Sequence, residues 1–288
     1  MSDRLGVRKT YKLYLGGTFP RSESGRSYSV SGASGEFLAN AALGSRKDVR
    51  DAVVAARAAF GGWSGATAYN RGQVLYRVAE LLEGRRDQFA AEVATSEGLS
   101  AAEALRVVDA AVDRWVWYAG WTDKIAQVHG GANPVAGPYL NISTPEPTGV
   151  VGVVAPRESS LLGLVSVVAP AVATGNTTVV LASETRPLPA VTLAEVLATS
   201  DVPGGVINLI TGRVAETAPR LASHRDVNAI DLTGAPADLA TALEVAAADN
   251  LKRVLRRPPS EPDWTADPGL GRLTAYLETK TVWHPIGV

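Results

Sequence analysis

Residues 149–170 read GVVGVVAPRESSLLGLVSVVAP. A short β-branched apolar run ends at Ala155, the charged pair Arg157 and Glu158 follows, and apolar residues then return at helical spacing. A buried strand followed directly by a helix is the beginning of a βαβ unit. Ligands of α/β proteins bind just past the carboxyl end of such a strand, so this junction is the first place to look for chemistry.

The same alternation of strand and helix continues downstream of this junction. Helical patterns lie near residues 160–174, 187–199, 214–223 and 236–249, and they alternate with the β-branched runs TTVVLA, GVINLIT, NAIDL and KRVLR. Repeated βαβ units predict an α/β fold with a Rossmann-like, doubly wound parallel sheet. We assign residues 155–257 to this core.

The segments around the core have different patterns. Residues 1–137 begin with strands that turn on glycines and continue as helices, whose starts are marked by the pairs Ser45 and Asp48, Asn70 and Gln73, Ser100 and Glu103. Residues 138–154 predict a β-hairpin whose return strand runs into the sheet. Residues 258–270, PPSEPDWTADPGL, predict a linker, and residues 271–288 predict a short helix or turn and then a strand over 279–283.

The composition excludes several classes of function. The chain has 288 residues, 46% hydrophobic and 20% charged, as in ordinary globular proteins. Its net charge of −1 gives no electrostatic footprint for nucleic acid or for an anionic membrane surface. Each apolar run is interrupted before it reaches bilayer length, and the first residues contain no apolar signal core, so we expect no membrane segment and a cytoplasmic location.

The sequence contains no cysteine, which excludes disulfides, thiolate metal sites and a thiol nucleophile. The three histidines, His129, His224 and His284, are far apart and match no metal-ligand spacing. We therefore predict no metal site. Ser159 and Ser160 have no histidine or lysine near them in sequence, so we interpret them as helix-capping residues and not as nucleophiles.

The chain resembles the cofactor-binding half of the NAD(P)-dependent aldehyde dehydrogenase superfamily. The resemblance spans roughly residues 11–257 and is carried by YLGGTF, SESGRSYSV, GASGEFLANAALGSRKDVRDAVVAARAAFGGW, RVAELLEGRRDQF, EPTGVVGVVAP, APAVATGNTTVVLASE, PGGVINLITG, HRDVNAIDLTG and NLKRV. The tail, GLGRLTAYLETKTV, resembles the extreme C-terminus of the family. The resemblance implies an oligomerisation platform, built from the 138–154 hairpin and the 279–283 strand.

The resemblance also implies that the catalytic machinery is missing. Thirteen linker residues stand where the family has its catalytic domain, and the family's nucleophilic cysteine has no counterpart. The family's Pro-Trp-Asn-Phe-Pro corresponds to residues 156–160, where Glu158 replaces the asparagine that donates to the oxyanion. Such a donor typically supplies about 3–4 kcal/mol, and a carboxylate is acceptor-only. Arg257 aligns with the general-base glutamate, and a guanidinium cannot accept a proton.

The cofactor site is only partly kept. The residues that the resemblance implies for a weak, vestigial site are Ser183, Glu184, Thr233 and Gly234. The lysine of the family's Lys-Pro-Ser-Glu is lost, and the phosphate turn contains Pro236, which has no N–H, and Asp238, which adds negative charge. We predict no cofactor, with retained NAD binding as the open alternative. Glu184 is also compatible with a helix N-terminal charge.

We therefore interpret the chain as an aldehyde dehydrogenase-like pseudoenzyme, inactive on its own. It is expected to be a subunit of a hetero-oligomer with a full-length aldehyde dehydrogenase, which it contacts through the 138–154 hairpin and the 279–283 strand. Two alternatives stay open: a residual NAD(P)-dependent aldehyde oxidoreductase and a nucleotide-binding regulatory module. For Arg157 and Glu158 the alternatives are a solvated pair or an interface contact.

Overall fold

The structure, a computed structural model, describes residues 9–287. Residues 1–8 of the segment assigned to 1–137, and Val288 of the segment assigned to 271–288, lie outside the described residues. The helices of the described part are α1 (Arg46–Gly65), α2 (Ala68–Glu83), α3 (Arg86–Glu97), α4 (Ala101–Trp121), α5 (Ile125–His129), α6 (Leu162–Ala173), α7 (Leu188–Leu197), α8 (Val214–Ser223), α9 (Ala237–Ala248) and α10 (Gly271–Ala275). The strands are β1 (Ser27–Ser31), β2 (Phe37–Ala42), β3 (Gly131–Ala132), β4 (Tyr139–Pro147), β5 (Val150–Val154), β6 (Thr177–Leu181), β7 (Ile207–Ile210), β8 (Ala229–Asp231), β9 (Arg253–Leu255) and β10 (Leu277–Pro285).

The core is a parallel sheet with the strand order β7-β6-β5-β8-β9. Strand β5, VVGVV, is buried along its whole length, because α6 packs on one face of the sheet and α1 and α8 pack on the other. A strand buried on both faces has to be continuously apolar, which explains the run that opens the βαβ pattern. The predicted α/β fold with a doubly wound parallel sheet is confirmed.

The N-terminal helices extend this core on the α6 side. Helices α2 and α3 pack on α4, α4 packs on α6, and Trp115 of α4 is fully buried between them. The capping boxes predicted at Ser45 and Ser100 are confirmed. Helix α2 begins at Ala68, earlier than predicted, because Thr67 accepts the hydrogen bond that caps it.

The hairpin predicted over 138–154 is wrong. Strand β4 pairs with β10 along its whole length and with β3 at its other edge, and it makes no ladder with β5. Both edges of β5 are occupied, by β6 and β8, so its backbone groups are not available to β4. The strand predicted over 279–283 is confirmed within β10, and its partner lies in the same chain. We call the sheet of β10, β4 and β3 the platform sheet.

Among the described residues, no helix combines the length and the apolar character needed to cross a bilayer.

Candidate functional site

The residues singled out from the sequence meet at the carboxyl edge of the parallel sheet. A cleft of about 430 Å³ is lined by Glu158, Arg257, Thr233 and Gly234, together with the first turn of α9 and residues 258–262. A smaller crevice of about 90 Å³ beside it is lined by Ser183, Glu184 and Gly234. Carboxyl ends of parallel strands converge at one edge, which is why residues distant in sequence come together.

A larger cavity lies elsewhere in the described part of the chain. It is an open groove of about 800 Å³ between α2 and α4, and it contains none of the residues predicted from the sequence to bind or react. We take the carboxyl-edge cleft as the candidate site because size alone does not define a site, whereas six independently predicted residues line this cleft or its neighbour.

Glu158 is held in the cleft by arginines. Its Oε2 lies 2.7 Å from Nη2 of Arg186, and its Oε1 lies 3.4 Å from Nε of Arg157. Arg186 also donates to the backbone carbonyl of Glu158. Arg157 and Glu158 therefore form an exposed pair, as in the first of the two alternatives, but the closer partner of Glu158 is Arg186, which the sequence analysis did not single out. The side chain at position 158 is therefore a paired carboxylate, which accepts hydrogen bonds and donates none to an oxyanion.

The two serines of the junction have structural contacts. Ser159 Oγ accepts a hydrogen bond from the N–H of Gly163 in the first turn of α6, at 2.8 Å, as a capping residue does. Ser160 differs from the capping prediction, because it donates both its N–H and its hydroxyl to Oε1 of Glu97, each at 2.6 Å. Glu97 could serve as a base for the Ser160 hydroxyl, and the sequence analysis did not identify it. Ser160 is only 2% exposed, however, and is not accessible to a substrate.

Glu97 and Glu103 allow a matched test of how a glutamate's negative charge affects stability when the glutamate accepts hydrogen bonds from a serine. Each accepts an N–H and a hydroxyl from one serine, but burial raises the pKa of Glu97, whereas the bonds from Ser100 lower the pKa of exposed Glu103. We expect Glu97→Gln to stabilise the fold at pH 7–8, by on the order of 0.5–1 kcal/mol. This gain should disappear as the pH falls through the unfolded-state pKa of Glu, because the carboxyl is then neutral in both states.

Glu103→Gln is the control, for which we expect the opposite change in stability at pH 7–8. A lowered pKa means that the ionised form stabilises the fold above the unfolded-state pKa, so this variant should lose stability at pH 7–8 and match the wild type at low pH. Urea unfolding of both variants across pH measures the two trends. Parallel pH trends for Glu97→Gln and Glu103→Gln would contradict the assignment.

The polar groups of the predicted cofactor residues are engaged within the chain. Ser183 Oγ donates to the carbonyl of Arg157 at 2.8 Å and accepts from the N–H of Arg186 at 3.1 Å. Glu184 accepts from Nη1 of Arg213 at 2.7 Å and from the N–H of Val214 at 3.1 Å. Its carboxylate therefore satisfies the first amide of α8, which is the helix N-terminal role given above as the alternative for this residue.

Thr233 is held by the side chains of Asp231 and Arg272, and Gly234 is held by the backbone of β5. Thr233 donates its N–H to Oδ1 of Asp231 at 2.8 Å, and its hydroxyl accepts from Arg272 at 3.0 Å. Gly234 donates its N–H to the carbonyl of Val154 at 2.9 Å and is so close to β5 that a Cβ would lie 1.8 Å from the carbonyl oxygen of Ala155. Glycine is required here by close approach and not by an unusual φ.

These contacts do not fit a dinucleotide. The carboxylate of Glu184 and the hydroxyls of Ser183 and Thr233 all have partners within the chain. Pro236, at the start of α9, offers no N–H, and Asp238 in the first turn of that helix adds a negative charge where a pyrophosphate would need donors. We derive no chemistry through NAD from this arrangement.

Comparison with known proteins identifies the family of the chain. The model of the aldehyde dehydrogenase family matches residues 19–256. The chain is 34% identical over 247 residues to the mitochondrial benzaldehyde dehydrogenase of Antirrhinum majus, covering 84% of this chain and 46% of that protein. It is 32% identical over 259 residues to the cytosolic 10-formyltetrahydrofolate dehydrogenase of Mus musculus, covering 87% of this chain and 28% of that protein.

Solved structures give the same result. An aldehyde dehydrogenase of Bacillus cereus, solved as its NAD⁺ complex, superposes with a TM-score of 0.81 at 29% identity, covering 85% of this chain and 50% of that one. The chain belongs to the aldehyde dehydrogenase family, which confirms the resemblance seen in the sequence. It spans between about a quarter and a half of the length of these relatives.

Proposed function

We propose that this chain is a non-catalytic member of the aldehyde dehydrogenase family that associates with a full-length aldehyde dehydrogenase and stabilises or modulates it. The observation that carries the proposal is the combination of a platform sheet, open along β10, with a carboxyl-edge cleft in which Glu158 and Glu184 are each paired with an arginine. The first feature provides a surface for a partner, and the second argues against chemistry.

The cleft supports the absence of catalysis. Glu158, at the position of the oxyanion donor, is paired with Arg186, and Arg257, at the position of the general base, is a permanent cation. The sequence contains no cysteine that a thiolate mechanism would need. The engaged side chains favour loss of NAD binding, since a dinucleotide would have to displace Arg213 from Glu184 and Arg272 from Thr233. Ser183 is likewise engaged, by the backbone of Arg157 and Arg186.

The platform sheet supports the partner role. The carbonyl of Asn141 in β4 accepts a hydrogen bond from the N–H of Asn133, on the β3 side. Because the backbone N–H and C=O groups of successive strand residues point to opposite edges, those of the odd-numbered residues of β4 point toward β3 and away from β10. In the antiparallel register, odd-numbered residues of β10 then point outward, away from β4. The backbone groups of Thr279, Thr281 and Trp283 therefore lie on an edge with no partner strand among residues 9–287.

Apolar side chains flank this open edge. Ile142 and Val282 are paired across the two strands on one face, and Val282 is 48% exposed. On the other face the rings of Tyr139 and Trp283 meet edge to face at 5.8 Å, and Trp283 is 58% exposed. A long open edge beside exposed aliphatic and aromatic residues is a template for edge pairing with another sheet. We assign the sheet of a full-length family member as its occupant, because the family resemblance implies that the 138–154 segment and the 279–283 strand form an oligomerisation platform.

Co-expression with full-length aldehyde dehydrogenases of the same cell tests the proposal. We expect a stable mixed complex on size exclusion with light scattering, containing both chains. A chain that elutes alone, as monomer or as a symmetric self-pair, in the presence of every candidate would overturn it. Cell fractionation of the same complex checks the cytoplasmic location, which stays a prediction.

A further inference from the structure

A buried carboxylate lies at the end of β8, outside the set of residues predicted from the sequence. Asp231 is 0% exposed. Its Oδ1 accepts from the N–H of Thr233 at 2.8 Å, and its Oδ2 accepts from Nη1 of Arg272 at 2.6 Å and from the hydroxyl of Tyr276 at 2.9 Å. A charge buried to this degree is tolerated only when it is paired and hydrogen-bonded, and here both conditions are met.

Two of these partners belong to the C-terminal segment. Arg272 lies on α10, and Tyr276 is the last residue before β10. Tyr276 is fully buried, and its carbonyl accepts from the N–H of Thr148 and from Nδ2 of Asn176, each at 3.1 Å. The residue that leads into β10 is therefore tied to both β8 and the start of β5.

The linker that precedes α10 is tied to the same point. The guanidinium of Arg272 lies over the ring of Trp264, at 5.4 Å from its centroid. The backbone carbonyls of Trp264 and Ala266 accept from Nη2 of Arg114 on α4, at 2.6 and 3.0 Å. Residues 258–270, which were predicted as a linker, are thus anchored on α4. The ring of Trp264 in this segment packs against the guanidinium of Arg272, which pairs with Asp231.

Strand β10 itself has little to hold it in place. All its residues after Leu277 are exposed, so burial of apolar side chains contributes little to its position. Its contacts are the backbone ladder with β4, the exposed ring pair of Tyr139 and Trp283, and exposed ion pairs. The ion pairs join Lys280 to Glu146 and Glu278 to Arg253, and such pairs are worth little at a surface. A strand of this kind depends on the anchor that precedes it.

We infer that residues 264–276 form a clamp that fixes β10 in register on β4, with Arg272 as its positioning residue, so that the outer edge of β10 is presented preformed to the partner. The part of this inference that concerns the partner rests on the proposed function. The part that concerns the strand does not. Ordering an edge before the encounter removes an entropic penalty from association.

Hydrogen exchange of the isolated full chain tests the clamp. The main variant is Asp231→Asn/Arg272→Gln, which removes both charges together, because the single change would leave the carboxylate buried and unpaired. Trp264→Ala, which removes the ring beneath Arg272 together with its N–H bond to Glu261, is the second variant. Lys280→Gln is the control, since it removes an ion pair of β10 that lies outside the clamp.

We expect the amides of β10 that face β4, at Glu278, Lys280 and Val282, to lose protection by at least about tenfold in the double variant and by less in Trp264→Ala, with β5 and β6 unchanged. Lys280→Gln should exchange as the wild type does. Unchanged protection of β10 in both clamp variants, or equal loss in β5 and β10, would overturn the inference. Where the mixed complex forms, the double variant should also associate more slowly. If the wild type forms no complex, the exchange result still decides the clamp, while the proposed function fails separately.

Discussion

Thr279→Pro is expected to weaken association with the full-length partner strongly while the chain itself stays folded. The N–H of Thr279 points outward from the open edge of β10, so it is not part of the ladder with β4. Proline is tolerated on an edge strand where the N–H faces solvent, but it cannot donate to an added strand. We expect the partner affinity to fall about 100-fold, which corresponds to about 2.7 kcal/mol.

Two controls separate loss of the edge from loss of the fold. Thr279→Ala keeps the N–H and removes only an exposed side chain, so it should bind as the wild type does. Lys280→Pro removes an N–H that faces β4 and should disturb the platform sheet itself, visible as increased exchange in β4. Thr279→Pro that binds the partner with wild-type affinity would show that the outer edge of β10 is not the contact.

Gly234→Ala is expected to destabilise the fold by about 3 kcal/mol or more. A Cβ at this position would lie 1.8 Å from the carbonyl oxygen of Ala155 and 2.9 Å from the nitrogen of Pro156. These are backbone atoms, so no side chain can rotate away. The loop cannot retreat either, because the N–H of Gly234 is bonded to the carbonyl of Val154 at 2.9 Å. Urea unfolding monitored by circular dichroism measures the change.

Gly61→Ala is the matched control for this prediction. Gly61 lies in α1, is exposed, and a Cβ there would meet nothing within 4 Å. Alanine in an open helical position should stabilise the protein by about 0.5–1 kcal/mol, because glycine loses more backbone freedom on folding. A loss of stability in Gly61→Ala, or a neutral Gly234→Ala, would contradict the packing described here.

The core of the fold follows from local pattern. The central strands β5 and β6 of the parallel sheet are short, buried, β-branched runs, and α8 occupies the residues that its periodicity predicts. The platform sheet does not follow from local pattern. The partner of β4 is β10, more than a hundred residues away, and alternation in a strand does not say which strand it pairs with.

For the site as well, part of the arrangement follows from the sequence pattern and part depends on contacts between residues that are distant in sequence. Parallel topology predicts that Glu158, Glu184 and Gly234 meet at one edge, and they do. The partners that decide what these residues do, such as Arg186 and Arg213, are surface arginines with no distinguishing motif. Asp231 had one usable signal, a single carboxylate at the end of a buried apolar strand, which requires a buried partner.

The most direct test of the central claim is turnover by the isolated chain. Thr279→Pro is the form to assay, because it is not expected to carry a host aldehyde dehydrogenase through purification. With NAD⁺ and a series of aliphatic and aromatic aldehydes, the absorbance of NADH should stay at the level of the buffer at every concentration of chain. NADH formation that saturates with aldehyde and rises in proportion to the chain would contradict a non-catalytic role.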